Sequence, residues 1–247
     1  MKITIITVVY NAEKHVRDCI ESVLAQNYQD LEYILIDGNS SDGTYRIAKE
    51  YEDRISILVS EPDNGMYDAL NKGINLATGK VIGILNADDI LATEDVVSEI
   101  AKKFQQLNVD AVYGNLNYVA QDNVTVVHRK WRSAPARPRD LALGWMPAHP
   151  TLYIKSALFA KFGAYELSYG SAADYELMLR YFYKHQINTA YLPKLMVNMR
   201  NGGMSNQSAK HRYAALLNDY TALKQNQVPM PLFALFLKKL RKIKQFF

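Results

Sequence analysis

The sequence predicts an α/β protein with a central, mostly parallel sheet and helices on both faces. Three observations carry that expectation. From residue 2 to residue 107, short β-branched apolar runs alternate with segments of helical periodicity, the pattern of parallel strands joined by crossover helices. With 247 residues, 49% hydrophobic and 22% charged, the chain has ordinary globular composition and enough length for a full core. After residue 110 the alternation gives way to runs that read as a mixed sheet.

In chain order, residues 2–9, rich in Ile, Val and Thr, read as a buried strand, and Val16, Ile20, Val23 and Leu24 recur at helical spacing within 13–26. Tyr33-Ile34-Leu35-Ile36 is the second strand, with a helix over 43–51. Residues 55–59 are the third, with a helix over 66–76. Val81 to Leu85 is the fourth, and residues 93–107 form an amphipathic helix with Thr93 as N-cap and Asp95 in its first turn. Ala111-Val112-Tyr113-Gly114 and residues 124–130 read as strands, 132–140 as a Pro- and Arg-rich loop, and 156–162, 173–184 and 208–224 as helices. No internal repeat is visible.

Several classes of function are excluded. A single cysteine, Cys19, rules out a disulfide framework and a multi-cysteine zinc site, so any metal sits on oxygen or imidazole. The apolar start stops at Tyr10-Asn11, too early for a signal core, and no 18-residue apolar run spans a membrane; a cytoplasmic protein is expected. The net charge of +4 resides in the tail. Residues 228–247 carry five basic residues and no acid, leaving 24 basic against 25 acidic residues elsewhere. Without a basic stripe interleaved with aromatics, nucleic acid is not expected as a partner. The glycine fingerprint of dinucleotide-binding proteins is missing after the first strand, and no P-loop is present.

Ligands of open parallel sheets bind beyond the carboxyl ends of the strands, and the unusual polar residues fall there. The first strand ends in Thr7 and Tyr10-Asn11, the second in Asp37-Gly38-Asn39-Ser40-Ser41-Asp42-Gly43-Thr44, the fourth in Asn86-Ala87-Asp88-Asp89. Adjacent carboxylates after a buried strand repel each other unless a cation offsets them. Hard oxygen ligands suit Mg or Mn held together with substrate phosphates; the plainer reading of Asp88 or Asp89 is a helix cap. Asp42 reads as such a cap, whereas Asp37 closes its strand at the crevice, where it can accept a hydrogen bond from a base or ribose.

Four segments together resemble family 2 glycosyltransferases of the GT-A fold. They are Ile5-Ile6-Thr7-Val8-Val9-Tyr10-Asn11-Ala12, Ile36-Asp37-Gly38-Asn39-Ser40-Ser41-Asp42-Gly43-Thr44, residues 61–73 from Glu61-Pro62-Asp63-Asn64-Gly65 to Gly73, and Leu85-Asn86-Ala87-Asp88-Asp89. The resemblance runs over most of residues 2–115 and more weakly to about 205. It implies inverting transfer of a sugar from a nucleotide-diphosphate donor, UDP by default, to a hydroxyl of a glycan or lipid-linked glycan. Thr7, Val9, Tyr10, Asp37 and Asn86 are then donor-binding, and Asp88 and Asp89 hold a divalent metal, Mn or Mg, with Asp88 also on the donor side. Asn86 stands where the family commonly has an acid. Ala172-Ala173-Asp174-Tyr175-Glu176 resembles the family's base motif, with Ala173 in place of the usual first acid, and puts the catalytic base at Asp174; a helix-start acid is the alternative. Met146-Pro147-Ala148-His149-Pro150-Thr151 resembles the segment lining the acceptor side. His149 there is an acceptor contact or a structural histidine, and Trp145 a sugar-stacking or a buried ring. Arg200, heading Arg200-Asn201-Gly202-Gly203-Met204-Ser205, is a donor contact near the diphosphate. The domain expected is 1–205, with a nucleotide-sugar half at 1–115 and an acceptor half at 116–205, followed by a helical appendage at 206–247. A non-catalytic nucleotide- or glycan-binding protein on the same fold is the second reading, favoured by Asn86 and Ala173. A nucleotidyltransferase, whose glycine- and arginine-rich N-terminal loop is not present, is the third.

In the tail, Leu232, Leu235, Phe236, Leu240, Ile243 and Phe247 recur at helical spacing among Lys238, Lys239, Arg241, Lys242 and Lys244. A basic amphipathic helix of this kind lies in a bilayer interface or packs on its own domain. The first possibility predicts peripheral association of residues 230–247 with the cytoplasmic face of the inner membrane.

Overall fold

The structure, a computed structural model, describes residues 1–202 and 209–243, with side chains through 202 and from 213 to 241. Gly203, Met204, Ser205 and the side chains of Lys242, Ile243, Lys244 and Phe247 therefore lie outside the described residues.

The first half follows the expected alternation. Strand β1 (Ile3–Val9) leads to α1 (Val16–Leu24), β2 (Leu31–Asp37) to α2 (Thr44–Lys49), and β3 (Ile57–Ser60) to α3 (Met66–Leu76), ahead of β4 (Val81–Asn86). These four strands are parallel. A short β5 (Ile90–Leu91) then precedes α4 (Val96–Gln106). That helix begins later than the spacing predicts, with Asp95 rather than Thr93 in the N-cap position. Thr93 instead gives its hydroxyl hydrogen to the Asp95 carboxylate, so the pair ends the β5 turn before the helix starts.

The second half contains β6 (Ala111–Val119), β7 (Val127–Trp131), α5 (Pro138–Ala142), β8 (Tyr153–Lys155), α6 (Ser156–Phe162) and α7 (Ala173–Met178). The helix predicted over 173–184 changes to a π-helix at Leu179–Lys184. Strand β9 (Thr189–Arg200), α8 (Ala209–Gln225) and α9 (Pro231–Ile243) complete the chain. Part of the expected 132–140 loop is helical, because Pro138 opens α5 where its fixed φ and missing N–H cost nothing. Strand β9 has no counterpart in the sequence pattern. Its apolar run is broken by Pro193 and Lys194, which fall in the register shift between the Tyr113↔Tyr191 and Asn115↔Leu195 pairs, and a bulge is where a strand tolerates proline.

Among the described residues the strands form one sheet in the order β3-β2-β1-β4-β8-β6-β9-β5, with β7 paired to β6. Side chains alternate across it. Ile3, Ile5 and Val9 of β1 meet Val16, Ile20 and Val23 of α1 and Ile100 and Phe104 of α4 in one core. Ile6 and Val8 face the other way, in one core with Ala69, Leu70 and Ile74 of α3, Tyr175 of α7, and Tyr181 and Phe182 of the π-helix. With both faces covered, the carboxyl ends of the parallel strands at Val9, Asp37, Ser60 and Asn86 are left to build a crevice.

Candidate active site

At the first two strand ends the loops are laced together by side chains. Ser40 and Ser60 give their hydroxyl hydrogens to Asp37 at 2.5 and 2.6 Å, and the Ser40 amide adds a third donor. Asp37 is fully buried, with its carboxylate held at the crevice floor. Asn11, in the left-handed region at φ 48°, accepts from the Ser41 amide, and Ala12 N–H donates to Thr44 Oγ1 at 2.7 Å. Asp42 accepts from the amide and hydroxyl of Thr44, but it is not the cap expected from the sequence: Gly43 holds the N-cap position of α2, and Asp42 closes the turn one residue earlier. Over this floor stands Tyr10, 65% exposed, a flat ring open to solvent. Val9 is buried, its carbonyl accepting from Gly38 N–H. Thr7 points into the core, where its hydroxyl meets Tyr33 Oη at 3.2 Å.

The end of β4 separates its two acids. Asp89 is fully buried: the Asn86 amide donates to its Oδ2 at 2.8 Å, while Oδ1 has no hydrogen-bond partner among the described residues. Burial pushes the Asp89 carboxyl well above the usual range, and the neighbouring Asp88 charge adds to that. Asp88 itself is half-exposed at the crevice. Arg200 at the end of β9 is buried; it donates to the Asp88 carbonyl at 3.0 Å, to the Gln121 carbonyl at 3.0 Å, and to the Asp18 carboxylate. The structure thus commits this guanidinium to fixing the Asp88 turn against α1 and β9.

A divalent ion fits this corner in part. The orphaned Asp89 oxygen and the half-exposed Asp88 carboxylate supply hard oxygen donors, yet no group of three or more His, Cys, Asp or Glu that could hold a metal exists among the described residues. Such an ion would need donor phosphates for its remaining ligands, the ordinary case for Mg.

Asp174 opens α7 across the crevice and is half-buried, with no cation paired to it among the described residues. Three groups surround it. Burial pushes the Tyr67 phenol well up, with Asp174 as the next cause, and the same two causes raise Tyr165. His149 hydrogen-bonds Tyr165 Oη through Nε2 at 2.7 Å; burial lowers its imidazole while the Asp174 charge opposes. The Asn71 side chain clips α3 to this group by exchanging two hydrogen bonds with the Tyr165 backbone, at 2.8 and 2.9 Å. Gly65 makes the arrangement possible: at φ 106° it turns the chain into α3 and sets Tyr67 in the first turn.

Tyr67 and Tyr165 are the site residues that sequence reasoning missed. Tyr67, on the amphipathic α3, reads as core, Tyr165 lies in the connection after α6, and only the tertiary fold brings both near Asp174. Trp145, by contrast, sets its ring edge-on against Tyr113 at 5.5 Å between centroids. Lys72 bridges Glu61 and the Pro62 carbonyl, each at 2.8 Å, holding the 61–65 loop.

The parallel half-sheet, the crevice at its strand ends and a second mixed half define a GT-A nucleotide-sugar transferase. The family model for Glycosyl transferase family 2 matches residues 4–164, and the chain belongs to that family. A PGL/p-HBAD biosynthesis glycosyltransferase of Mycobacterium bovis (strain BCG / Pasteur 1173P2) is 30% identical over 193 residues, 76% of this chain and 73% of the relative. Glycosyltransferase GlyG of Streptococcus pneumoniae serotype 4 is 33% identical over 124 residues, 49% of this chain and 41% of that protein. Among solved structures, S. aureus TarS 1-349 in complex with UDP-GlcNAc superposes with a TM-score of 0.69 at 16% identity, covering 90% of this chain and 66% of that one. Against the longer TarS crystal structure the chain spans 40% of the length. Mannosyltransferase PcManGT from Pyrobaculum calidifontis, in complex with GDP-Man and Mn2+, gives 0.68 at 18% identity, covering 96% of this chain and 68% of that one. At these identities the structural likeness establishes the fold.

Proposed function

We propose that this glycosyltransferase moves a sugar from UDP to a hydroxyl of a glycan or lipid-linked glycan with inversion at the anomeric carbon, and that Asp174 is its base. One observation carries the reading. Asp18, Asp95, Asp110 and Asp219 are paired with Arg200, Lys194, Lys155 and Lys238, whereas Asp174, like the strand-end acids Asp37, Asp88 and Asp89, has no cation paired to it among the described residues, and it alone of these opens a helix on the other side of the crevice. An unpaired carboxylate is free to take a proton, and a salt-bridged one is not.

Asp174 then accepts the acceptor's hydroxyl proton while that oxygen bonds to the anomeric carbon opposite the leaving phosphate. The C–O bond to phosphate breaks, and UDP departs with the electron pair. Tyr67 and Tyr165, whose phenols stay protonated, and neutral His149 fix the carboxylate and exclude water behind it. Asp37 and Tyr10 take the base and ribose, Thr7 and Val9 shaping that floor. Asn86 and Arg200 hold the Asp89 and Asp88 ends of the turn that faces the diphosphate. Asp88, with Asp89, would hold a Mn or Mg ion, which supplies positive charge against the diphosphate. Trp145 and His149 border the acceptor side. Residues 1–205 act as the transferase unit and 206–247 as its appendage.

Peripheral membrane binding at the cytoplasmic face is part of the same proposal. Ala234 and Leu235 of α9 pack on the domain, while Leu232 and Phe236 are 71% and 58% exposed and Phe233 and Leu240 lie open beside them. No helix among the described residues is long and apolar enough to cross a membrane. The test is Asp174→Asn. With UDP-sugars and Mn it is expected to bind donor as the wild type does and to lose transfer by about 100-fold or more, and normal turnover would remove Asp174 from the role. Asp88→Ala should weaken metal-dependent UDP binding, read by thermal shift; unchanged affinity would refute the metal assignment.

A further inference from the structure

Helix α1 turns one face to the end of β4, and His15 stands at the top of that face. Because β1 stops at Val9 and α1 starts at Val16, residues 10–15 cross the carboxyl edge of the sheet, where the crevice lies. His15 holds the N-cap position, and its carbonyl accepts from Cys19 N–H at 3.2 Å. Residues three and four apart share a helix face, so His15, Asp18 and Cys19 form one row. The row is anchored twice. Cys19 Sγ donates to the Asn86 carbonyl at 3.3 Å, and Asp18 takes the Arg200 guanidinium, which also donates to the Asp88 carbonyl at 3.0 Å. Both anchors end on the turn that carries Asp88 and Asp89, and His15, at the helix start, is the member of the row nearest the strand ends.

A side chain at an N-cap ordinarily accepts from the first helical amides; this imidazole does not. It is half-buried and makes no hydrogen bond among the described residues. The charges that reach it are those of the crevice corner. Burial lowers the imidazole, Arg200 and Lys14 lower it further, and Asp88 and Asp18 oppose. One turn along, burial raises the Cys19 thiol, its hydrogen bond with Thr7 opposes, and Asp89 and Asp88 add to the rise, so both acids lie close to this face of α1. The two cations of the corner are committed, Lys14 to Asp122 at 2.6 Å and Arg200 to Asp18. Among the described residues His15 joins no group of three His, Cys, Asp or Glu side chains that could hold a metal. A ring N–H with hydrogen-bonding capacity to spare, beside a turn whose cations are already used, suits an anion that arrives with a ligand.

We propose that His15 is a donor-binding residue, its ring N–H donating to a phosphate oxygen of the nucleoside diphosphate beside the Asp88 turn. The contact holds the donor and, as the sugar leaves, stabilises charge on the departing phosphate. The assignment rests on the transferase reading for the identity of the ligand, and its test is a binding test. Uridine and UDP are titrated calorimetrically onto wild type, His15→Ala and His15→Gln, once with Mg and once with Mn. His15→Ala is expected to bind UDP about tenfold more weakly, a difference of about 1.4 kcal/mol, with either metal, and to bind uridine as the wild type does. His15→Gln, which keeps an N–H donor, should retain most of the affinity. Since the imidazole caps no amide, both variants should melt within about 2 °C of wild type. Unchanged UDP affinity in His15→Ala, an equal loss for uridine, or no UDP binding by wild type overturns the contact. A loss seen with Mn and absent with Mg marks a metal ligand and overturns it too. Transfer of sugar from a UDP-sugar separates the two readings: selective loss of UDP affinity in a protein whose wild type transfers nothing keeps the contact and sinks the transferase, whereas normal transfer with unchanged UDP affinity in His15→Ala removes only the contact.

Discussion

Arg180→Met tests how the helix bearing Asp174 is held. Arg180 and Glu176, 7% and 2% exposed, form a buried pair. The guanidinium donates to Glu176 through Nη2 at 2.8 Å and Nε at 3.1 Å, and to the carbonyls of Phe162, Gly163 and Ala164 at the end of α6. Removing it leaves Glu176 with one weak donor, Asn226 Nδ2 at 3.3 Å, and the Phe162 and Ala164 carbonyls without theirs, while the Gly163 carbonyl keeps the Tyr181 hydroxyl at 2.8 Å. Breaking a buried pair from one side costs about 3–5 kcal/mol, a large part of the roughly 5–15 kcal/mol that holds a domain folded. At about 2–4 °C per kcal/mol for a domain of this size, the melting temperature should fall by about 6–20 °C. The double variant Glu176→Leu/Arg180→Met, with both charges gone, should recover most of the loss. Urea unfolding measures all three chains. A single variant within about 1 kcal/mol of wild type, or a double variant no more stable than Arg180→Met, would refute the account.

Three further outcomes are expected. Asp37→Ala removes the acceptor of three donors from Ser40 and Ser60, and at about 1–3 kcal/mol for stranding buried polar groups it should lower stability and weaken UDP binding about tenfold by calorimetry. His149 is held below its ordinary value by burial, so the unfolded chain binds the proton first; its contribution is complete above about pH 6.5 and is lost as pH falls below that. His149→Gln should flatten the acid limb of a stability-against-pH curve, and an unaltered limb would count against a buried neutral imidazole. Phe236→Glu with Leu240→Glu, on the exposed face of α9, should abolish flotation with vesicles rich in phosphatidylglycerol and leave the melting temperature within about 2 °C; undiminished flotation would dismiss the membrane face.

The sequence revealed local structure well and tertiary partnership poorly, for physical reasons. Strands β1, β2 and β4 are buried on both faces, so their apolar runs are continuous and unmistakable. The polar residues at their ends stand out against that background, which is why Asp37 and Asp88 were legible as crevice residues. Strand β9 was not legible, because its pairing tolerates a bulge at Pro193 and its side chains answer to β6 and β5 together. Asp88 and Asp89 look equivalent in sequence, yet the turn buries one and exposes the other. Tyr67 and Tyr165 carry no local signal at all; what distinguishes them from core aromatics is the carboxylate both face. The tail illustrates the same limit. Its basic amphipathic pattern gives the helix, but not that Lys238 turns inward, 2.8 Å from Asp219 and 3.5 Å above the Tyr175 ring.

That inward lysine bears on how a base at Asp174 can work. A carboxylate that must take a proton needs to be rigidly placed and electrostatically uncommitted, and these demands conflict, since the cheapest way to fix an acid is to pair it with a cation. Here the two are assigned to different residues. Tyr175, next in sequence, is packed under Lys238; Glu176, two positions on, is locked to Arg180 and through it to α6. Rigidity thus enters α7 through Tyr175 and Glu176, while Asp174 at the helix start has the phenols of Tyr67 and Tyr165 and a neutral His149 among its neighbours. Such neighbours can orient a carboxylate without placing a full positive charge beside it, so its basicity is spared for the acceptor hydroxyl. Because Lys238 belongs to α9, the same contact joins the helix whose outer face is apolar to the one that carries the proposed base.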